Sequence, residues 1–313
     1  MGGKKFAAVC AAAALVLIGA EVCKLFLDAR LSYPALVLEI AALAGLVFLC
    51  IRTKGGKRWT TAVAAVLIIL PIYANVSILS FHYAKRPPAV IHAGGGNYLN
   101  SLEMTEAFLR EGYRYVELDF LYTEDGALVC SHMFEFGGYS LKNRPTLAEF
   151  ENIRLRGGYR GLTLSALTDL MTEYENFQVV VDTKEPDLIG VLAAIETACE
   201  ETCVDFFGRF IVQLYSYEDY LMLKSYPFSE FWYTNYKSRC ASDRIDAYFG
   251  GEERVTTIVM SKYDWLLQFP FGLPQDKKIA VHTVNGAARA RFFAERGVDF
   301  IYCDYGIEGV TTC

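Results

Sequence analysis

Histidine is scarce in this chain, with four among 313 residues, so the position of each imidazole carries weight. Cysteine is not scarce, at nine, but its grouping argues against a familiar use. Cys199 and Cys203 stand four apart on a predicted helix, and neither a histidine nor a second cysteine pair lies near them, so a zinc site is not expected there. A surplus of positive charge is missing too. The net charge is −6 and the later part of the chain holds no basic cluster, so nucleic acid is not an expected partner.

Apolar residues make up 53% of the sequence and are unevenly spread. The excess falls before residue 82, in stretches 6–27, 34–51 and 61–81. Crossing roughly 30 Å of hydrocarbon takes about 20 helical residues, so each stretch is long enough for a transmembrane helix. Lys4 and Lys5 precede the first stretch as they would in a cleaved signal peptide, but that run is long for a signal and two more follow it. Residues 1–84 are therefore expected to form a three-helix membrane anchor and residues 85–313 a second domain. Lys4, Lys5, Arg52, Lys54, Lys57 and Arg58 fall on one side of the membrane, against Arg30, Lys85 and Arg86 on the other. Basic loops stay in the cytoplasm, which puts the second domain outside, on a multi-pass protein of the cell membrane. Only Glu21, Lys24 and Glu39 lie within the spans, too few charges for a transport pathway.

After Lys85-Arg86-Pro87-Pro88 the continuous apolar runs give way to short alternating segments. β-Branched and aromatic runs predict strands at 89–92, 115–119, 178–182, 210–214, 231–235, 256–260, 278–283 and 299–303. Helical patterning fills several gaps, at 102–111, 163–174, 188–202 and 287–296. Strands separated by crossovers in this way suggest a closed parallel α/β barrel. One further run, 127–131, follows the second strand after only Thr123-Glu124-Asp125-Gly126. That link is too short for a parallel crossover, so the run is expected to fold back over the barrel mouth.

Chemistry in such barrels gathers at the carboxyl ends of the strands. His92, Glu117, Asp119, Asp182, Gln213, Asn235 and His282 fall there, and the return strand would bring His132 back to them. Glu117 and Asp119, two apart on a strand, point to one face. With Asp182 they offer three oxygen ligands to a hard divalent cation, calcium or magnesium, which would offset their mutual repulsion. The competing reading of the acidic pair is a set of solvated strand-end charges. His92 and His132 flank it and fit the roles of general base and general acid. Lys184 shares a face with Asp182 and suits a phosphate as a point charge, or is a surface lysine beside Glu185. His282 lines the pocket or sits on its rim. Gly94-Gly95-Gly96 would let backbone amides approach an anion, or punctuates a loop. Taken together, these groups suit metal-assisted acid/base chemistry on a phosphate ester.

The order of these residues resembles the glycerophosphodiester phosphodiesterase family, within the wider group of phospholipase C-like phosphodiesterases. The resemblance runs from residue 89 to 306. It is carried by His92-Ala-Gly-Gly, Asn100-Ser101, Gly112 ahead of Glu117-Leu-Asp119, Thr123-x-Asp125-Gly126, Val129 to His132, Asp182-x-Lys184, Gln213, Thr283-Val-Asn285, Gly297-Val-Asp299 and Asp304. It implies an α/β fold, a (β/α)8 TIM barrel here preceded by three transmembrane helices. It also implies catalytic histidines at His92 and His132 and a divalent cation, Ca2+ or Mg2+, on Glu117, Asp119 and Asp182. By position Lys184 becomes a phosphate contact, and Gln213, Asn235 and His282 are expected to join it in binding substrate. Four positions depart from the family pattern. Ala93 replaces an arginine, removing a bidentate phosphate donor. Met133 replaces an aspartate, Asp182 replaces a glutamate as in the related sphingomyelinase D enzymes, and His282 replaces a tryptophan.

The expected activity is metal-dependent hydrolysis of a phosphodiester, or its intramolecular transesterification to a cyclic product. The expected substrate is a glycerophosphodiester, a phospholipid or lysophospholipid head group, or a phosphate-linked surface glycan. The loss of arginine at Ala93 motivates the alternative, a catalytically inactive barrel that binds head groups or glycans as an anchoring module.

Overall fold

The structure, a computed structural model, describes residues 88–96, 99–134, 136–235, 242–268, 274 and 276–307. The three expected membrane spans and the connector as far as Pro87 lie outside the described residues. Among the described residues, no helix is long and apolar enough to cross a membrane.

Ten strands form one sheet: β1 (Ala89–Ile91), β2 (Tyr115–Tyr122), β3 (Leu128–Cys130), β4 (Leu162–Thr163), β5 (Gln178–Thr183), β6 (Phe210–Leu214), β7 (Phe231–Thr234), β8 (Val255–Ser261), β9 (Lys278–His282) and β10 (Phe300–Cys303). Eight of them run parallel in the order β1-β2-β5-β6-β7-β8-β9-β10, and β10 pairs back onto β1 to close the barrel. Between them lie α1 (Leu102–Arg110), α2 (Leu147–Asn152), α3 (Leu164–Glu173), α4 (Leu188–Thr202), α5 (Phe206–Arg209), α6 (Tyr217–Leu223), α7 (Ser242–Phe249), α8 (Lys262–Gln268) and α9 (Ala287–Ala294). A parallel strand covered on both faces reads as a continuous apolar run. Val179-Val180-Val181 and Phe210-Ile211-Val212 are such runs, and all are buried.

Each expected strand is present, with its ends shifted by three residues at most. The largest shift is in β2, expected to stop at Asp119 and observed to continue to Tyr122. Its cause lies in the neighbouring strand. β1 ends at Ile91, so the upper edge of β2 has no parallel partner, and unpaired strand backbone must find one. The return strand β3 supplies it, antiparallel, with Phe120 opposite Cys130 and Tyr122 opposite Leu128. β4 then pairs with β3. Glu185 and Arg144 brace the same corner. Glu185 Oε1 accepts from the Tyr122 amide at 3.0 Å and from Arg144, whose guanidinium also donates to the Tyr122 carbonyl at 2.9 Å.

The helices begin where side chains can cap them. Ser101 accepts from the Met104 amide at the start of α1, and Asp187 from the Gly190 amide at the start of α4. α1 buries Thr105, Phe108 and Leu109, one face at helical spacing. In α4, Cys199 is buried and Cys203 ends the helix in a left-handed conformation, so the spacing noted in the sequence serves packing and termination. Cys130, Cys199, Cys203 and Cys303 are free thiols.

The Gly94-Gly95-Gly96 run owes its composition to close packing. All three have positive φ, and a Cβ on Gly95 would stand 2.2 Å from the Phe108 ring. Two of its amides are engaged within the protein: Gly95 N–H donates to the His92 carbonyl and Gly96 N–H to that of Asp304.

Candidate active site

Strand alternation builds the site. The barrel interior holds Val90, Val180, Ile211, Trp232, Val259, Ala280 and Tyr302, with Tyr115 packed against them. Two residues further along each strand the same face returns, and there the sequence turns polar: His92, Glu117, Asp182, Gln213, Thr234, Ser261, His282 and Asp304. One step beyond Glu117 in that alternation is Asp119, level with Asp182 in the β2–β5 register. An apolar layer thus supports a polar one at the carboxyl ends of the parallel strands. Asn235, expected among these residues, lies one residue past β7 and is buried, while the alternation gives Thr234 the place in the polar layer.

Glu117, Asp119 and Asp182 are buried, and each offers one oxygen such that all three lie within 4.8 Å of one another. An all-oxygen donor set of this charge fits a hard divalent cation. The three carboxylates are not alike. Burial pushes Glu117 well up, and the Asp119 charge adds to that; its Oε2 accepts the Ala93 amide at 2.7 Å. Asp119 is held down to about 2, because the hydrogen bond from His132 and the charge of Lys184 overcome its burial. Asn100 fixes it on the other side, donating Nδ2–H to Oδ2 at 2.8 Å while its own Oδ1 accepts the Asp119 amide at 3.1 Å. Burial pushes Asp182 upward. Lys184 donates to Asp182 Oδ2 at 2.5 Å and reaches Asp119 Oδ1 at 2.8 Å, so its ammonium is shared between two of the three carboxylates. Burial would lower it, and those carboxylates raise it instead.

The two histidines stand on opposite partners. His92 Nδ1 donates to Asp304 Oδ1 at 2.8 Å, and His132 Nδ1 to Asp119 Oδ1 at 3.0 Å. Burial pulls His92 down, but the Asp304 hydrogen bond and the nearby carboxylates outweigh it and lift the imidazole to about 8. Asp304 is in turn held by Asn285, which donates Nδ2–H to its Oδ2 at 2.7 Å and accepts its amide at 2.9 Å. His282 lies 6.2 Å from His92, ring centre to ring centre, and burial together with the His92 charge depresses it to about 3. Gln213 Oε1 accepts the Thr234 hydroxyl at 2.7 Å.

The carboxylates, His92, His132, Lys184, Gln213 and His282 were all singled out from sequence, and the barrel brings them to one end. Asn100, Asn285 and Asp304 belong to the site without having been given a role there. Asp304 carried a usable signal, since it lies in phase with Tyr302 at a strand's carboxyl end. Tyr215, whose hydroxyl donates to Asp182 Oδ1 at 2.5 Å, carried none, because a tyrosine after a strand reads as ordinary packing.

No protein-family model matches this sequence, and no curated protein sequence does. Solved structures do match its fold. A glycerophosphodiester phosphodiesterase from Parabacteroides distasonis is 16% identical with a TM-score of 0.56, the match covering 70% of this chain and 94% of that one. A phosphodiesterase from Oleispira antarctica, solved with the product sn-glycerol-3-phosphate, is 15% identical with a TM-score of 0.55 over the same shares. The glycerophosphodiester phosphodiesterase of Thermotoga maritima is 18% identical with a TM-score of 0.52, over 71% of this chain and 96% of its own. At such identities the likeness is one of architecture. The described part of this chain is an eight-stranded parallel barrel with the fold of the glycerophosphodiester phosphodiesterases.

Proposed function

We propose that the barrel is a metal-dependent phosphodiesterase acting on a glycerophosphodiester or a lipid-derived phosphodiester. The observation that carries this reading is the meeting of Glu117, Asp119 and Asp182 within 4.8 Å, flanked by two carboxylate-held imidazoles. Those carboxylates would hold Ca2+ or Mg2+, which when bound would polarise a phosphoryl oxygen and offset the negative charge on the phosphoryl oxygens. The chain's own residues move the protons. With Nδ1 of each histidine engaged by an aspartate, exchange with substrate runs through Nε2. One imidazole takes the proton of the attacking water, or of a neighbouring substrate hydroxyl, as the new P–O bond forms. The other, as imidazolium, protonates the alkoxide released when the old P–O bond breaks. Lys184, Gln213 and His282 supply polar contacts to the substrate. The three apolar stretches ahead of the barrel would anchor it on the outer face of the cell membrane, within reach of lipid-derived diesters.

The test is hydrolysis of a chromogenic phosphodiester by the full chain. A chelator should abolish turnover and added Ca2+ or Mg2+ restore it, and His92→Ala and His132→Ala should each lower kcat about 100-fold or more. Wild-type rates persisting under all three treatments would reject the mechanism. Tight binding of the diester without turnover would favour a binding module.

A further inference from the structure

Among the groups at the site that the proposed chemistry does not use is Tyr215. Tyr215 follows β6 directly, and its hydroxyl reaches Asp182 Oδ1 at 2.5 Å, while Lys184 takes Oδ2 at the same distance. The terminal torsion of an aspartate joins an sp3 to an sp2 centre and is intrinsically loose. Opposed donors on its two oxygens set the carboxylate plane. Lys184 alone is poorly suited to that task, being a point charge on a flexible stem that it also lends to Asp119. Tyr215 is better suited. Its ring is rigid, and its backbone is pinned where α6 begins. Asp219 Oδ2 accepts the amides of both Tyr215 and Ser216 at 2.9 Å, and Ser216 and Asp219 form a reciprocal capping box. A local helix-capping motif thereby aims a phenol across the barrel mouth, from the end of β6 to the end of β5.

We infer that Tyr215 is a positioning residue for the cation site, holding Asp182 in the orientation that presents an oxygen to the metal alongside Glu117 and Asp119. This rests on the reading of those carboxylates as metal ligands. Such outer hydrogen bonds orient the ligand and tune its affinity without touching the ion.

Calorimetric titration of the full chain with Ca2+ and with Mg2+ tests it, using wild type, Tyr215→Phe and Asp182→Asn. Tyr215→Phe keeps the ring and removes only the donor, so its cation Kd should rise about tenfold or more, with kcat returning towards wild type once cation is saturating. A Kd within about twofold of wild type, where Asp182→Asn has lost binding, overturns the role of Tyr215 and leaves the metal site standing. Absence of cation binding by wild type overturns both. Asp219→Asn loosens the anchor of the Tyr215 amide and should shift Kd in the same direction. If Tyr215→Phe does not fold, unchanged affinity in Asp219→Asn is sufficient to overturn the inference.

Discussion

His92 changes its proton count close to neutrality because Asp304 holds it there. Its rise from 6.5 to about 8 corresponds to roughly 2 kcal/mol of preference for the protonated form in the folded chain. A group raised above its unfolded value stabilises the fold fully below that value and ceases to do so as pH passes the folded one. Glu117, also raised, acts with the same sign, since the folded state retains its proton longer than the unfolded chain does. Asp119, held down to about 2, matters only in acid. In the presence of a chelator, therefore, the protein should lose stability as pH rises from 6.5 to 9. Thermal melts at fixed ionic strength check this, and His92→Asn should flatten the profile. At this scale the sequence singled out candidate residues but not how they are wired. Asn100 and Asn285 are two ordinary asparagines until the fold sets one against Asp119 and the other against Asp304.

Among the elements, the β2–β3 corner decides whether His132 reaches the site. The short link Thr123-Glu124-Asp125-Gly126 marked β3 as a return strand, and it is one. The brace beneath it was not legible, because Arg144 and Glu185 lie 41 residues apart and meet only once β2 and β5 are paired. Glu185→Ala would leave the Tyr122 amide and the Arg144 guanidinium without that carboxylate. The expected loss is about 1–3 kcal/mol in global stability, measurable by urea denaturation. Faster amide exchange over 128–130 than over β5 or β6 should accompany it. The short helices α2, α5, α6 and α8 were also invisible from sequence. Segments of four to seven residues are too brief for a 3.6-residue period to show.

For the molecule as a whole, closure of the barrel was readable because parallel strands buried on both faces leave long β-branched runs, and β5 and β6 left the clearest. The polar layer above the core was readable in part from the strands' carboxyl ends, which marked His92, Glu117, Asp182, Gln213 and His282 but passed over Ser261 and Asp304 and took Asn235 in place of Thr234. A cation bound to the folded state alone should stabilise it by mass action. At 100 times its Kd, Ca2+ or Mg2+ should add about 2.7 kcal/mol and raise the melting temperature, and Glu117→Gln should diminish the rise. Differential scanning calorimetry with and without chelator measures it.

Both imidazoles are delivered along a single border of β2, His92 from the strand that leaves that border at Ile91 and His132 from the one that takes it over at Cys130. Their separation is consequently ruled by how far along β2 one partner gives way to the other, at about 3.4 Å per residue, and not by the seating of the outer helices. The peripheral helices can drift in sequence and length while the imidazole pair keeps its gauge, provided that the pairing along that border stays intact.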